Sequence, residues 1–213
     1  IYEGEVVVIV GPSGSGKSTL GHCINGLIPF SYRGNMKGSV VVDGLDTQKA
    51  SLFELSKKVG TVLQDSDGQF VGLTVGEDIA FSLENDCVSQ EEMKKTVQQV
   101  ADIVDMGKLL KSSPYELSGG QKKRVFLARA LAQEGEVILL DEPFTGVDVK
   151  TEDAIIALLR DLRDEGKVIL VSTHNLGSVP EFCDRTVLVK GTVLAYGPTP
   201  EIFTREKFEV AFG

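Results

Sequence analysis

The chain has 213 residues, 42% hydrophobic and 25% charged, the makeup of a globular domain with room for a sizeable core. Its 22 Lys+Arg against 31 Asp+Glu leave a net charge of −9, which argues against general nucleic-acid or anionic-membrane binding. Cys23, Cys87 and Cys183 are widely spaced with no CxxC pair, so neither a zinc site nor a disulfide framework is expected, and the thiols read as small buried side chains in a reducing compartment.

In chain order, residues 5–10 form an apolar run that reads as a strand, followed by a helical pattern over 16–27. A second strand is expected at 59–63. Residues 65–111 carry helical patterns and no convincing strand. Within them Ser89-Gln-Glu-Glu92 reads as a capping box, opening a helix over 89–106 with Met93, Val97, Val100 and Val104 on one stripe. Further helices are expected at 118–133, 150–163 and from about 200, and strands at 137–140, 168–172, 186–189 and 192–195. The last two strands are joined by Lys190-Gly191, a plausible hairpin turn. The first four strands are near-continuously apolar, as in a parallel sheet covered on both faces. Strands alternating with helices predict an α/β fold: a core lobe of residues 1–64 and 118–213, with a helical lobe, 65–117, inserted into it. The longest apolar runs, Val6 to Val10 and Val137 to Leu140, are far short of a membrane span, and no secretory signal is expected.

Gly11-Pro12-Ser13-Gly14-Ser15-Gly16-Lys17-Ser18-Thr19 fits G-x-x-x-x-G-K-[ST] between an apolar strand and a helix. Glycines let the backbone curl its N–H groups around phosphate oxygens, and the helix start adds its positive end. Lys17 supplies a charge to the β- and γ-phosphates, and Ser18 a hydroxyl to Mg²⁺. The strand 137–140 ends in Asp141 and Glu142. Asp141 is expected to hold Mg²⁺, and Glu142 to polarise the attacking water as general base. Leu117-Ser118-Gly119-Gly120-Gln121 has the makeup of a second anion-binding helix start. His22 reads as structural, and Lys122-Lys-Arg124 as a solvated helix surface, because successive helical residues fan over different faces.

These motifs, with Ser172-Thr-His174 after a strand, resemble the nucleotide-binding ATPase subunits of ABC transporters over essentially the whole chain. The resemblance implies a P-loop NTPase core with a mainly parallel sheet and an inserted helical lobe. The family's N-terminal strands and its adenine-stacking aromatic are expected to be missing, since Tyr2 is the sole aromatic nearby. The implied function is binding and hydrolysis of ATP with Mg²⁺, powering an importer through head-to-tail dimerisation. The signature Ser118-Gly119-Gly120-Gln121 of one chain would then close on the γ-phosphate held by another, which explains why one chain carries two phosphate-binding motifs. Gln64 corresponds to the glutamine that joins core and helical lobe and touches the metal and water, Asp148 to the D-loop, and His174 to the switch histidine. Implied partners are ATP, a second ATPase chain, identical or not, and transmembrane transporter subunits, with no nucleic acid, at the cytoplasmic face of the membrane. Gln69-Phe70 and Leu73-Thr-Val75 lie where the family meets its membrane partner, or form lobe core.

Residues up to Phe70 look like ATPases of vitamin and cobalt importers, and the part from Val125 on like ATPases of manganese and iron chelate importers. A fusion with its junction near 118–129 would account for this, as would a natural protein between the two groups. Alternatives to the importer are a soluble ABC-class ATPase acting on nucleic acid or ribosomes, and an engineered chimeric domain with weak or no activity, a binding module without catalysis.

Overall fold

Strands without a polar face need cover on both sides, and the fold provides it. A computed structural model describes residues 1–64, 69–174, 176–177 and 179–213. The chain runs β1 (Val6–Val10), α1 (Lys17–Ile24), α2 (Leu27–Phe30), β2 (Val41–Val42), β3 (Leu45–Asp46), α3 (Leu52–Ser56), β4 (Val59–Val62), α4 (Val75–Asn85) and α5 (Gln90–Ile103). It continues α6 (Gly119–Ala132), β5 (Val137–Asp141), α7 (Val149–Asp164), β6 (Val168–Thr173), α8 (Val179–Phe182), β7 (Arg185–Val189), β8 (Val193–Pro198), α9 (Thr199–Ile202) and α10 (Arg205–Phe212).

Six strands form one sheet in the order β4-β5-β6-β1-β7-β8, all parallel except β8, which pairs antiparallel with β7. Side chains alternate across a strand, and β1 shows it: Val6, Val8 and Val10 enter one core, Val7 and Ile9 the other. Ile155, Leu159 and Leu162 of α7 cover the first face; Leu20 and Ile24 of α1, with Val42, cover the second. The β7–β8 turn forms as expected at Lys190-Gly191, with Gly191 at φ 70. The small β2–β3 hairpin was not expected from the sequence. Because β1, β4, β5 and β6 are parallel and in register, their C-terminal ends reach one edge of the sheet together.

Between β4 and β5 the described residues form helices and no strand. Asp65, the expected start of the helical lobe, lies outside the described residues. Val97, Val100 and Val104 of the α5 stripe are buried and Met93 packs beside them. Of the expected capping box at Ser89, the hydroxyl bond from the Glu92 N–H is made. Thr74 and Glu77 cap α4 reciprocally. The core runs unbroken from β1 through α4, α5 and α6.

A buried ion pair ties α4 to α6. Asp78, 0% exposed, accepts from Arg129 Nη1 at 3.2 Å and from the backbone N–H groups of Val71 and Gly72 at 2.7 and 3.2 Å. Arg129 also donates to the Gln69 carbonyl at 2.8 Å. Burial lowers the Arg129 pKa and the Asp78 charge offsets that shift. Removing one partner of a buried pair strands the other, so Asp78→Ala is expected to cost about 3–5 kcal/mol in denaturant unfolding. A loss below about 1 kcal/mol, the range of exposed pairs, would contradict that reading.

Candidate active site

The turn after β1 is built on glycines where a side chain has no room. A Cβ on Gly11 would lie 2.1 Å from the Val189 carbonyl oxygen and 2.6 Å from Ser15 Oγ. Gly14 and Gly16 sit at φ 76 and 104, the left-handed region that glycine enters freely. Lys17, the first residue of α1, is buried, and its Nζ donates to the carbonyls of Gly11 at 2.9 Å and Pro12 at 3.1 Å. Ser15 Oγ is buried with no hydrogen-bond partner. Ser13, Gly14 and Thr19 are exposed. The turn thus offers a buried cation, an unpartnered hydroxyl and a curled backbone, the chemistry that suits a polyphosphate.

Asp141 closes β5 opposite Ser172 of β6, whose hydroxyl makes a short hydrogen bond to Asp141 Oδ1. Lys17, Ser18, Asp141 and Ser172 line one small cavity. Ser172 therefore aims the expected metal ligand, a role not read from the sequence. Among the described residues no group of three His, Cys, Asp or Glu side chains stands ready to hold a metal. A cation bound by Ser18 and Asp141 would need phosphate oxygens to complete its shell.

Glu142 is 5% exposed and sits at φ 53, a conformation costing a non-glycine residue on the order of 1–3 kcal/mol unless its surroundings impose it. They do: its N–H donates to the Ser172 carbonyl at 2.9 Å and its own carbonyl accepts from Thr145 N–H at 3.3 Å. Glu142 Oε1 lies 2.8 Å from His174 Nδ1, and the His174 N–H reaches Oε2 at 3.4 Å. The two residues expected to act on the γ-phosphate and its attacking water thus form one pair, and any phosphate contact from His174 falls to Nε2. Asn175 and Ser178, in the same motif, lie outside the described residues. Gln64 follows β4 at this sheet edge, exposed, with its carbonyl accepting from Lys123 Nζ at 3.4 Å.

The Leu117–Gln121 stretch lies elsewhere. Ser118 caps α6: its Oγ accepts from the Gln121 N–H at 3.3 Å, while Gln121 Oε1 accepts from the Ser118 N–H at 2.9 Å. The Ser118 hydroxyl proton is not spent in this box. Ser118 and Gly119 are exposed. A Cβ on Gly119 would meet the Gly146 carbonyl at 3.3 Å, and one on Gly120 would meet Thr151 at 3.2 Å, so this helix start rests on the 146–151 segment. Asp148 is exposed there and caps α7, with Oδ1 accepting from Thr151 N–H at 3.0 Å and Oδ2 from Thr151 Oγ1 at 2.8 Å. Those bonds hold its carboxyl below the ordinary range.

Two expectations are corrected. Of the three thiols expected to be buried, only Cys183 is: Cys23 is half-buried and Cys87 exposed. Lys122-Lys-Arg124 is not a solvated surface: Lys123 is 7% exposed, and Arg124 is half-buried, reaching Asp105 and Thr151 at 3.4 Å each. The signal was there, because Gly120, Lys123, Leu127 and Ala130 fall on one buried helical stripe. His22 stacks on Tyr32 with ring centroids 4.8 Å apart, a structural contact as expected.

The family model described as ABC transporter matches residues 1–145. The chain belongs to the ABC transporter family. Its ATP-binding members are phosphate-loop ATP hydrolases. An ABC transporter ATP-binding protein of Enterococcus faecalis is 49% identical over 208 residues, 97% of this chain and 37% of that protein. One from Clostridium perfringens is 50% identical over 212 residues, 98% of this chain and 37% of that protein. The chain thus spans little more than a third of the length of these relatives. Each of these relatives aligns with nearly all of the chain, on both sides of residues 118–129. Among solved structures, cbiO1 from Clostridium perfringens, part of the ABC transporter complex cbiONQ, has a TM-score of 0.84 at 32% identity, covering 97% of this chain and 82% of that one. A dimeric ATP-binding cassette in a post-hydrolysis state bound to ADP and Pi has a TM-score of 0.81 at 34% identity, covering 93% of this chain and 87% of that one. The shared fold is an α/β P-loop ABC fold.

Proposed function

We propose that the chain binds Mg-ATP at the turn after β1, hydrolyses it, and does so as a head-to-tail dimer that drives an importer. The observation that carries the hydrolase reading is Glu142: a buried carboxylate held in a strained backbone at the sheet edge that carries Lys17, with His174 on one oxygen. Lys17 would place its charge on the β- and γ-phosphates. Ser18, Asp141 and Gln64 would hold Mg²⁺, which would supply charge neutralisation to the phosphates. Water attacks the γ-phosphorus, the bond to the β-γ bridging oxygen breaks, and Glu142 takes the proton from the water. His174 Nδ1 keeps the carboxylate aimed.

The dimer reading rests on Ser118 and Gly119, exposed at a helix start seated on the 146–151 segment rather than on the phosphate loop. Their donors suit the γ-phosphate of a second chain, where added hydrogen bonds stabilise developing charge. The dimeric cassette bound to ADP and Pi is in keeping with this.

A membrane partner is supported by the surface after Gln64. Phe70 is half-buried against the core, its ring tilted on Phe126 with centroids 4.5 Å apart. Leu73 is 82% exposed, and Val71, exposed too, lines a cleft with Leu27, Leu52, Leu63 and Phe81. Among the described residues no helix is long and apolar enough to cross a membrane. The first test is phosphate release by the purified chain. Release that requires both ATP and Mg²⁺ is expected; a rate equal to buffer overturns the hydrolase reading.

A further inference from the structure

Lys123 is a buried lysine that the mechanism above does not use. It sits in the second turn of α6, facing inward from the helix that presents Ser118 and Gly119 outward. Its Nζ donates to the Glu142 carbonyl at 3.2 Å and to the Gln64 carbonyl at 3.4 Å. Burial lowers its pKa, and the charges of Asp141 and Glu142 offset that shift. A buried ammonium is costly unless its donors are used, and these are used on the backbones of two residues whose side chains meet the water and the metal. Glu142 also needs such restraint, since φ 53 persists only where neighbours impose it.

We infer that Lys123 is a positioning residue for hydrolysis: from the signature helix it ties the Gln64 and Glu142 backbones together and so fixes the general base. It links the surface expected to meet a partner's nucleotide to the chain's own base. The inference rests on the hydrolase reading above.

The test compares wild type, Lys123→Met, Lys123→Gln and Glu142→Gln by steady-state phosphate release, with ATP binding and thermal unfolding measured alongside. Methionine keeps the length and apolar stem but donates nothing; glutamine restores a neutral donor. Lys123→Met is expected to lower kcat about 10–100-fold, the range for groups that orient a functional side chain, with KM within about threefold. Lys123→Gln is expected to recover to within roughly fivefold of wild type while staying below it. A Lys123→Met rate within about twofold of wild type overturns the inference. So does joint loss of turnover and ATP binding that glutamine does not rescue, since that marks a packing role. If Lys123→Met does not fold, Lys123→Gln decides: a several-fold lower kcat at unchanged KM supports the inference, and a wild-type rate overturns it. Inert wild type brings down the hydrolase reading and this inference together, whereas active wild type, inert Glu142→Gln and active Lys123→Met bring down this inference alone.

Discussion

Glu142→Gln stops turnover and leaves nucleotide binding in place. The amide has the size of the carboxylate, so the strained turn at φ 53, the N–H bond to Ser172 and the carbonyl contacts that hold it are kept. What is lost is the basic oxygen pair that, on the proposed mechanism, would receive the proton of the attacking water. General-base removal costs about 10²–10⁴-fold, so steady-state phosphate release should fall by that factor while a fluorescent nucleotide binds as in wild type. Residual turnover above about a tenth of the wild-type rate would move the base elsewhere. His174, 2.8 Å from Glu142 Oε1, would then be the group to examine.

Lys17→Ala should fail one step earlier. The ammonium is buried inside the turn and already points its donors along the inner carbonyls of Gly11 and Pro12. On binding, those donors would pass to phosphate oxygens. Charge-assisted hydrogen bonds contribute about 1.5–3 kcal/mol each, so losing two should weaken Mg-ATP binding by roughly 3 kcal/mol, about a hundredfold in Kd. Turnover falls with it. Equilibrium titration beside a thermal melt separates lost binding from lost folding. Affinity within about threefold of wild type would contradict the placement of Lys17 on the phosphates.

The two variants are expected to differ in kind: one should bind without turning over, the other should bind far more weakly. That contrast mirrors what was legible in the sequence. β1, β5 and β6 were plain because each is an unbroken apolar run, which only a sheet covered on both faces explains. Lys17 could be read as a candidate from G-x-x-x-x-G-K-[ST] spacing, whereas Asp141, Glu142 and His174 became candidates only beside that motif and through the family resemblance. The β2–β3 hairpin was missed: its strands are two residues each, too short for any alternation, although Asp43-Gly44 is a strong turn signal. Ser172 and Lys123 were missed for a different reason. Each acts through a neighbour distant in sequence, Ser172 through Asp141 and Lys123 through Gln64 and Glu142. Nothing local distinguishes Lys123 from the Lys122 beside it except the phase of the helix. The strain at Glu142 was invisible as well, since a positive φ at a non-glycine residue follows from the contacts around it.

The central claim is that the two phosphate-binding motifs of one chain serve two different nucleotides. It is tested most directly by the solution mass of Glu142→Gln, by light scattering, with and without Mg-ATP. Two nucleotides held between two chains that cannot hydrolyse them should lock the pair, so the mass should double on adding Mg-ATP. A monomer mass with Mg-ATP demonstrably bound would contradict it, and would leave Ser118 and Gly119 with no phosphate to close on.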